Sequence, residues 1–359
     1  GYPATSSTVD PARRPPATAP AAGHGRHSTR PARGSFRITR HLPPDATAAE
    51  LREDVLRGLT AECKWLPPKW FYDARGSELF EEITRLPEYY PTRAEREILT
   101  ARAPEIASAT GARTLVELGS GSSEKTRLLI GALRNRRTLR RYTPVDVSET
   151  ALRQAAESLL ADHPGLAVHA LVADFQRDLG IPGTEPPVLS AFLGGTIGNL
   201  LPGERAAFLS AVRACLGPHD AFLLGTDLVK DERTLVAAYD DSAGVTAAFN
   251  KNVLSVINRE LDADFDLAAF DHVAVWDAER EWIEMRLRSR RHQTVKIHAL
   301  GLAVVFGEGE DLRTEISAKF RPEQVRAELS EAGLALTRWW TDPAGRFALS
   351  LSVPARPWG

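Results

Sequence analysis

Between Thr114 and Leu228, short apolar runs alternate with helical stretches, and the runs end on glycines or acids. TLVELGSG leads into SEKTRLLIGAL, and YTPVDVS leads into ETALRQAAESLLAD. AVHALVADF, PVLSAFLGG and AFLLGTDL supply three further runs, with a helical ERAAFLSAVRACL between the last two. Alternation at this spacing predicts right-handed βαβ units and a parallel sheet with helices on both faces. Ligands of such a sheet bind at the carboxyl ends of its strands, which is where the glycines and acids fall.

The flanking segments read differently. Order is expected from about Phe36, and AAELREDVLRGL (48–59) has helical apolar spacing. Prolines at 67, 68, 87 and 91 cut the next stretch into short pieces around a helix near Ser77–Thr84, with Ser77 as its expected cap. Its aromatics, among them Trp65, Trp70, Phe71, Tyr72, Phe80, Tyr89 and Tyr90, read mainly as a covering layer; a tyrosine there can still offer its hydroxyl to a ligand. After Val229 the alternation stops. A helical stretch and strand-like segments follow, with GEGED as a turn, before a closing helix and hairpin. The simplest account is an α+β insertion between the fifth strand and the end of the sheet domain. The expected division is a disordered Pro/Ala/Arg-rich tail (1–34), the N-terminal part of an inserted lobe (35–93), the sheet domain (94–229), the insertion itself (230–319) and the end of the sheet domain (320–359).

Charge narrows the function classes. Lys+Arg 45 against Asp+Glu 47 gives a net charge of −2, without the basic excess that a polyanion partner calls for. The basic run RSRRH (288–292) is expected to face solvent on a hairpin. No stretch reaches the roughly 18 apolar residues that span a bilayer. Cys63 and Cys215 form no CxxC and no ligand cluster, and no metal site is expected. The expectation is a cytoplasmic monomer with a small-molecule substrate, no nucleic-acid partner and no membrane partner.

The first strand ends Glu117-Leu118-Gly119-Ser120-Gly121-Ser122-Ser123. A dinucleotide fingerprint would place a third glycine at position 124, where this chain has Glu124. That acid is a poor neighbour for a pyrophosphate and tolerable for a phosphate-free adenosine cofactor, which favours S-adenosylmethionine over NAD. Asp146 closes the second strand, where a carboxylate can accept from both ribose hydroxyls. Asp174 closes the third and can take the adenine amino group, with Phe175 packing on the ring. The three strand ends together indicate a class I S-adenosylmethionine-dependent methyltransferase, a Rossmann-like doubly wound α/β sheet with an inserted α+β substrate-binding domain.

KWFYDARGSELFEEIT, LPEYYPTR, ELGSGSSEKT, PVDVS, FLGGTIGNL, GTDLVKD, AAYDD, FNKNVL, EWIEMRLRS and TEISAKF occur in this order from residue 69 to residue 320. In these segments the chain closely resembles the actinobacterial L-histidine Nα-methyltransferases of ergothioneine biosynthesis, and the resemblance runs from about residue 36 to the C-terminus. It implies transfer of three methyl groups to the α-amino nitrogen of L-histidine, giving hercynine. It assigns Gly119, Lys125, Asp146, Asp174 and Phe175 to S-adenosylmethionine, with Tyr72 near the methyl donor. It assigns Tyr89, Asn199, Tyr239, Met285, Glu315 and Ser317 to histidine, with Gly194 near the amino group. Tyr72 and Asn199 are the residues expected to act in catalysis. Glu315 and Ser317, two apart on a strand, would share a face and serve the two imidazole nitrogens, while Ile316 points into packing. The rival readings are methylation of another aromatic amino acid and a catalytically silent S-adenosylmethionine-binding protein.

Overall fold

The computed structural model describes residues 34–119, 124–177, 179–181 and 184–356. The tail expected over 1–34, apart from Gly34, and the loop residues Ser120–Ser123 therefore lie outside the described residues. The strands are β1 (Phe36–Arg40), β2 (Thr114–Leu118), β3 (Arg141–Asp146), β4 (Ala167–Val172), β5 (Val188–Phe192), β6 (Ala221–Asp227), β7 (Phe270–Asp277), β8 (Trp282–Ser289), β9 (Gln293–Ile297), β10 (Leu302–Phe306), β11 (Asp311–Ala318), β12 (Leu334–Thr341) and β13 (Phe347–Pro354). The helices are α1 (Ala46–Leu59), α2 (Ala74–Thr84), α3 (Tyr90–Thr110), α4 (Thr126–Asn135), α5 (Glu149–Asp162), α6 (Pro202–Cys215), α7 (Glu232–Tyr239), α8 (Val245–Leu261) and α9 (Pro322–Glu331).

The large sheet runs β1-β4-β3-β2-β5-β6-β13-β12. β1 to β6 pair in parallel, and β13 and β12 close the sheet antiparallel. The chain winds outward from β2 through β3 to β4, then returns to β2's other side with β5 and β6. That reversal opens a crevice beyond the ends of β2 and β5, the usual ligand position in an open sheet. β2 and β6 are buried along their whole length, because helices cover both faces. One face packs against Ile98, Leu99, Leu129 and Leu133 of α3 and α4, and the other against Phe208, Val212, Val325 and Leu329 of α6 and α9.

A separate apolar cluster joins Leu51 and Val55 of α1 and Leu79 and Ile83 of α2 to Phe249, Val253 and Ile257 of α8 and to Met285 and Leu287 of β8. Around it lie an antiparallel sheet of order β11-β8-β7 and the β9–β10 pair. The insertion returns to the large sheet at the end of β6, where Phe320 N–H donates to the Asp227 carbonyl at 2.8 Å. That connection sets the far end of β11 beside the carboxyl end of β6.

Four local expectations change. Phe36–Arg40, read with the inserted lobe, instead extends the large sheet by pairing with β4. The boundary drawn at 93/94 falls inside one continuous helix, α3. The cap before Thr84 is Asp73, not Ser77: its side chain accepts from Gly76 N–H at 2.8 Å, and the helix starts a turn earlier. The basic run is also less free than a solvated hairpin, because Arg288, Arg290 and Arg291 pair with Asp311, Asp271 and Asp266.

Candidate active site

Most of the residues expected to hold the cofactor stand at the carboxyl ends of neighbouring strands. Gly119 follows β2 with φ +67°, a backbone conformation that side chains resist, and a Cβ there would lie 3.5 Å from the Phe175 ring. Phe175 is held edge-on against Phe192 and Phe208, at 5.1 and 5.8 Å between centroids. Asp146 ends β3 and accepts from Ser148 N–H at 3.2 Å. Asp174, just past β4, accepts from Gln176 N–H at 3.0 Å and lies 3.8 Å from the Arg177 guanidinium. Local backbone contacts thus fix both carboxylates at adjacent strand ends. A bare glycine backbone, an aromatic face and two spaced carboxylates form a surface of the kind that an adenosine can meet.

Lys125 stands just before α4 and pairs with Glu95, a carboxylate with no exposed surface. Both Glu95 oxygens also take the Gly194 N–H, at 3.0 and 2.9 Å. One buried carboxylate therefore ties the start of α4 to the glycine turn after β5. Room for it comes from Gly225 on β6, where a Cβ would lie 2.2 Å from a Glu95 oxygen.

On the substrate side, Tyr72, Tyr89, Gly194, Asn199, Tyr239, Met285, Glu315 and Ser317 all line one cavity. Tyr72 is 45% exposed, and its ring meets Phe80 and Phe249 edge-on at 5.7 and 5.6 Å. Tyr89 packs edge-on against Tyr239 at 6.2 Å. Glu315 sits opposite Met285 in the β11–β8 ladder, just past an irregularity after Arg313. The strand alternation then puts Glu315 and Ser317 on the cavity face, while Ile316 enters the sheet core. Asn199 donates to the Ile316 carbonyl at 2.8 Å and to Glu315 at 3.3 Å, so the turn after β5 and the strand β11 are stitched together. Burial pushes the Glu315 carboxyl up to about 7, against the opposing pull of Lys319 and of the Asn199 hydrogen bond.

Lys319 and Asp227 also line the cavity and belong to a buried charged network. Lys319 donates to Asp227 at 2.8 Å, to the Tyr239 hydroxyl at 2.7 Å and to Ser317 at 3.1 Å. Lys230 reaches Asp227 at 2.8 Å and the Tyr90 hydroxyl at 2.6 Å, and Tyr90 donates to Asp227 at 2.6 Å. Burial alone would raise the Asp227 carboxyl, but Lys319 and Lys230 outweigh it and hold the group below the usual carboxylate range. Burial lowers Lys230 to about 8, with Asp227 opposing. Burial, ahead of the neighbouring charges, pushes the Tyr89 and Tyr239 phenols well up, so both are neutral hydroxyls near pH 7. The alternation that paired Glu315 with Ser317 extends to Lys319, so that residue carried a usable signal. Glu95 and Asp227 carried none beyond a lone acid on a helix and an acid at a strand end.

Residues 51–354 match the family described as histidine-specific methyltransferase, SAM-dependent. The chain belongs to that family. A histidine N-alpha-methyltransferase of Mycolicibacterium smegmatis is 58% identical over 316 residues, which cover 88% of this chain and 98% of that protein. The histidine N-alpha-methyltransferase of Mycobacterium tuberculosis is 56% identical over 320 residues, again 88% and 98% of the two chains. Ergothioneine biosynthesis protein 1 of Neurospora crassa is 31% identical over 299 residues, 77% of this chain and 32% of that longer protein. The strand order, with one added edge strand and an antiparallel last pair, is the class I methyltransferase sheet.

Proposed function

We propose that this chain transfers three methyl groups from S-adenosylmethionine to the α-amino nitrogen of L-histidine, giving hercynine for ergothioneine biosynthesis. The observation that carries this reading is the buried Glu315 carboxyl, set by Asn199 in a cavity walled largely by aromatic rings and hydroxyls. A buried carboxyl costs binding free energy unless the ligand answers it, and an imidazole N–H does so where an apolar side chain cannot. Gly119, Lys125, Asp146, Asp174 and Phe175 are the residues that would hold the cofactor, which supplies an electrophilic methyl group on its sulfonium.

The chain's own part is positioning. Asn199, Tyr239, Tyr89 and Met285 would seat the amino acid, and the Gly194 turn would fix its α-nitrogen. An α-amino group loses its proton at a pKa of roughly 7.7–8.0 in peptides and somewhat higher in a free amino acid, so a modest fraction is neutral near pH 7 without a dedicated base. In-line displacement then requires only that the lone pair be held against the methyl carbon. Tyr72 would contact donor and acceptor at the mouth. Rings at Tyr72, Phe80, Tyr89 and Phe249 suit a nitrogen that becomes a permanent cation.

The same reading makes the chain a cytoplasmic monomer with a small-molecule substrate and no nucleic-acid partner. Among the described residues, no helix is long and apolar enough to cross a membrane. The substrate lobe would comprise α1, α2 and residues 230–319, set on a methyltransferase domain that takes in β1 and α3; the shared apolar cluster of α1, α2 and α8 supports that grouping. Steady-state rates test the substrate assignment. L-Histidine should exceed L-phenylalanine and L-tryptophan in kcat/KM by at least about 100-fold. Equal rates would contradict it.

A further inference from the structure

Lys319 is the cation on the cavity wall among the described residues, and its side chain is 1% exposed. An ammonium has three protons and no lone pair, and here three acceptors take them: Asp227 at 2.8 Å, the Tyr239 hydroxyl at 2.7 Å and Ser317 at 3.1 Å. Both hydroxyl oxygens are therefore acceptors toward Lys319. They also lie 2.9 Å from each other, so one of their two protons closes the hydroxyl–hydroxyl bond. The other has no place in this cluster and turns to the cavity. Asp227 does not compete for it, since that carboxylate already accepts from Tyr90, Lys230 and the Leu228 N–H.

We propose that Lys319 is a positioning residue that sets specificity: it makes the Tyr239–Ser317 pair present one hydrogen-bond donor to the ligand. This rests on the histidine reading above. A neutral imidazole offers one N–H and one bare nitrogen. Glu315 takes the first, and the hydroxyl pair donates to the second. The two ends of the wall are then complementary to one ring protonation state. An imidazolium brings a second N–H where the wall already donates. A pyrrole, indole or phenyl ring brings no bare nitrogen, so the wall's proton stays unpaired next to a buried ammonium.

The test compares L-histidine with the two pyrrolylalanine isomers, each of which keeps a ring N–H and lacks the bare nitrogen. Wild-type protein should prefer histidine by about 30-fold or more in kcat/KM. Lys319→Met should shrink that ratio to about threefold, mostly through KM, while cofactor affinity by calorimetry changes less than about twofold. A Lys319→Met protein that folds, binds cofactor and keeps the wild-type ratio overturns the proposal. Should that variant fail to fold, the wild-type comparison decides: pyrrolylalanines methylated as well as histidine would show that no donor is presented. Histidine left unmethylated by the wild-type protein would instead refute the functional reading itself.

Discussion

Replacing Glu315 by Gln separates what this carboxyl does for the ligand from what it does to the fold. In the folded chain its pKa is raised from 4.5 to about 7 by burial. Between those values the folded state holds a proton that the unfolded chain has released, so stability falls as pH rises through the window. At 1.36 kcal/mol per unit, the full loss is about 3 kcal/mol once the pH is well above 7. Gln keeps an oxygen for Asn199 and has nothing to ionise. Ligand-free Glu315→Gln should therefore be more stable than wild type at pH 8, by up to about 3 kcal/mol, and the difference should shrink toward zero near pH 4.5. Urea unfolding at pH 5, 6.5 and 8, with unchanged denaturant slopes, measures it. The same variant should lose kcat/KM for histidine, a group kept for binding at the expense of stability. A Gln variant no more stable than wild type at pH 8 would show that the carboxylate ionises there without penalty, and the reasoning about the site would fail.

Other substitutions probe the remaining parts. Gly225→Ala puts a Cβ 2.2 Å from a Glu95 oxygen and 3.3 Å from the Phe347 ring, so Glu95 must release Gly194 and Lys125. Stability should drop by about 1–3 kcal/mol, and cofactor affinity by calorimetry should weaken about tenfold; unchanged affinity would remove Glu95 from the account. Asp227→Asn leaves Lys319 and Lys230 without their shared buried counter-charge, and urea unfolding should show a loss of about 3–5 kcal/mol. Tyr72→Phe should keep kcat within about tenfold of wild type, because the α-amine sheds its proton unaided near its own pKa. A loss beyond about a thousandfold would make the phenol the proton acceptor.

The parallel part of the fold was legible because apolar strands recur from β2 to β6, with helices after β2, β3 and β5, and α5 falls on Glu149–Asp162 as the pattern reads. β1 was not, since FRITR carries no strong alternation and its pairing with β4 is a contact across more than 120 residues. Asp73 lost out to Ser77 because both can cap; only the fold shows that Gly76 must pack on the Phe71 carbonyl, where a Cβ would lie 1.6 Å away. Within the site, glycines and acids at strand ends announced the cofactor side. The substrate side came from resemblance, and the structure gathers those side chains into one cavity. The part of Asp227 stayed hidden because its partner Lys319 lies 92 residues away, just past the end of a strand that returns to the sheet.

Hercynine formation is decided by a methyl count on one nitrogen. Wild-type protein incubated with S-adenosylmethionine and L-histidine should yield a product heavier by three methyl groups. Fragmentation by tandem mass spectrometry should place all three on the α-nitrogen and none on the ring. Unchanged histidine, or methyl groups on the imidazole, would contradict it.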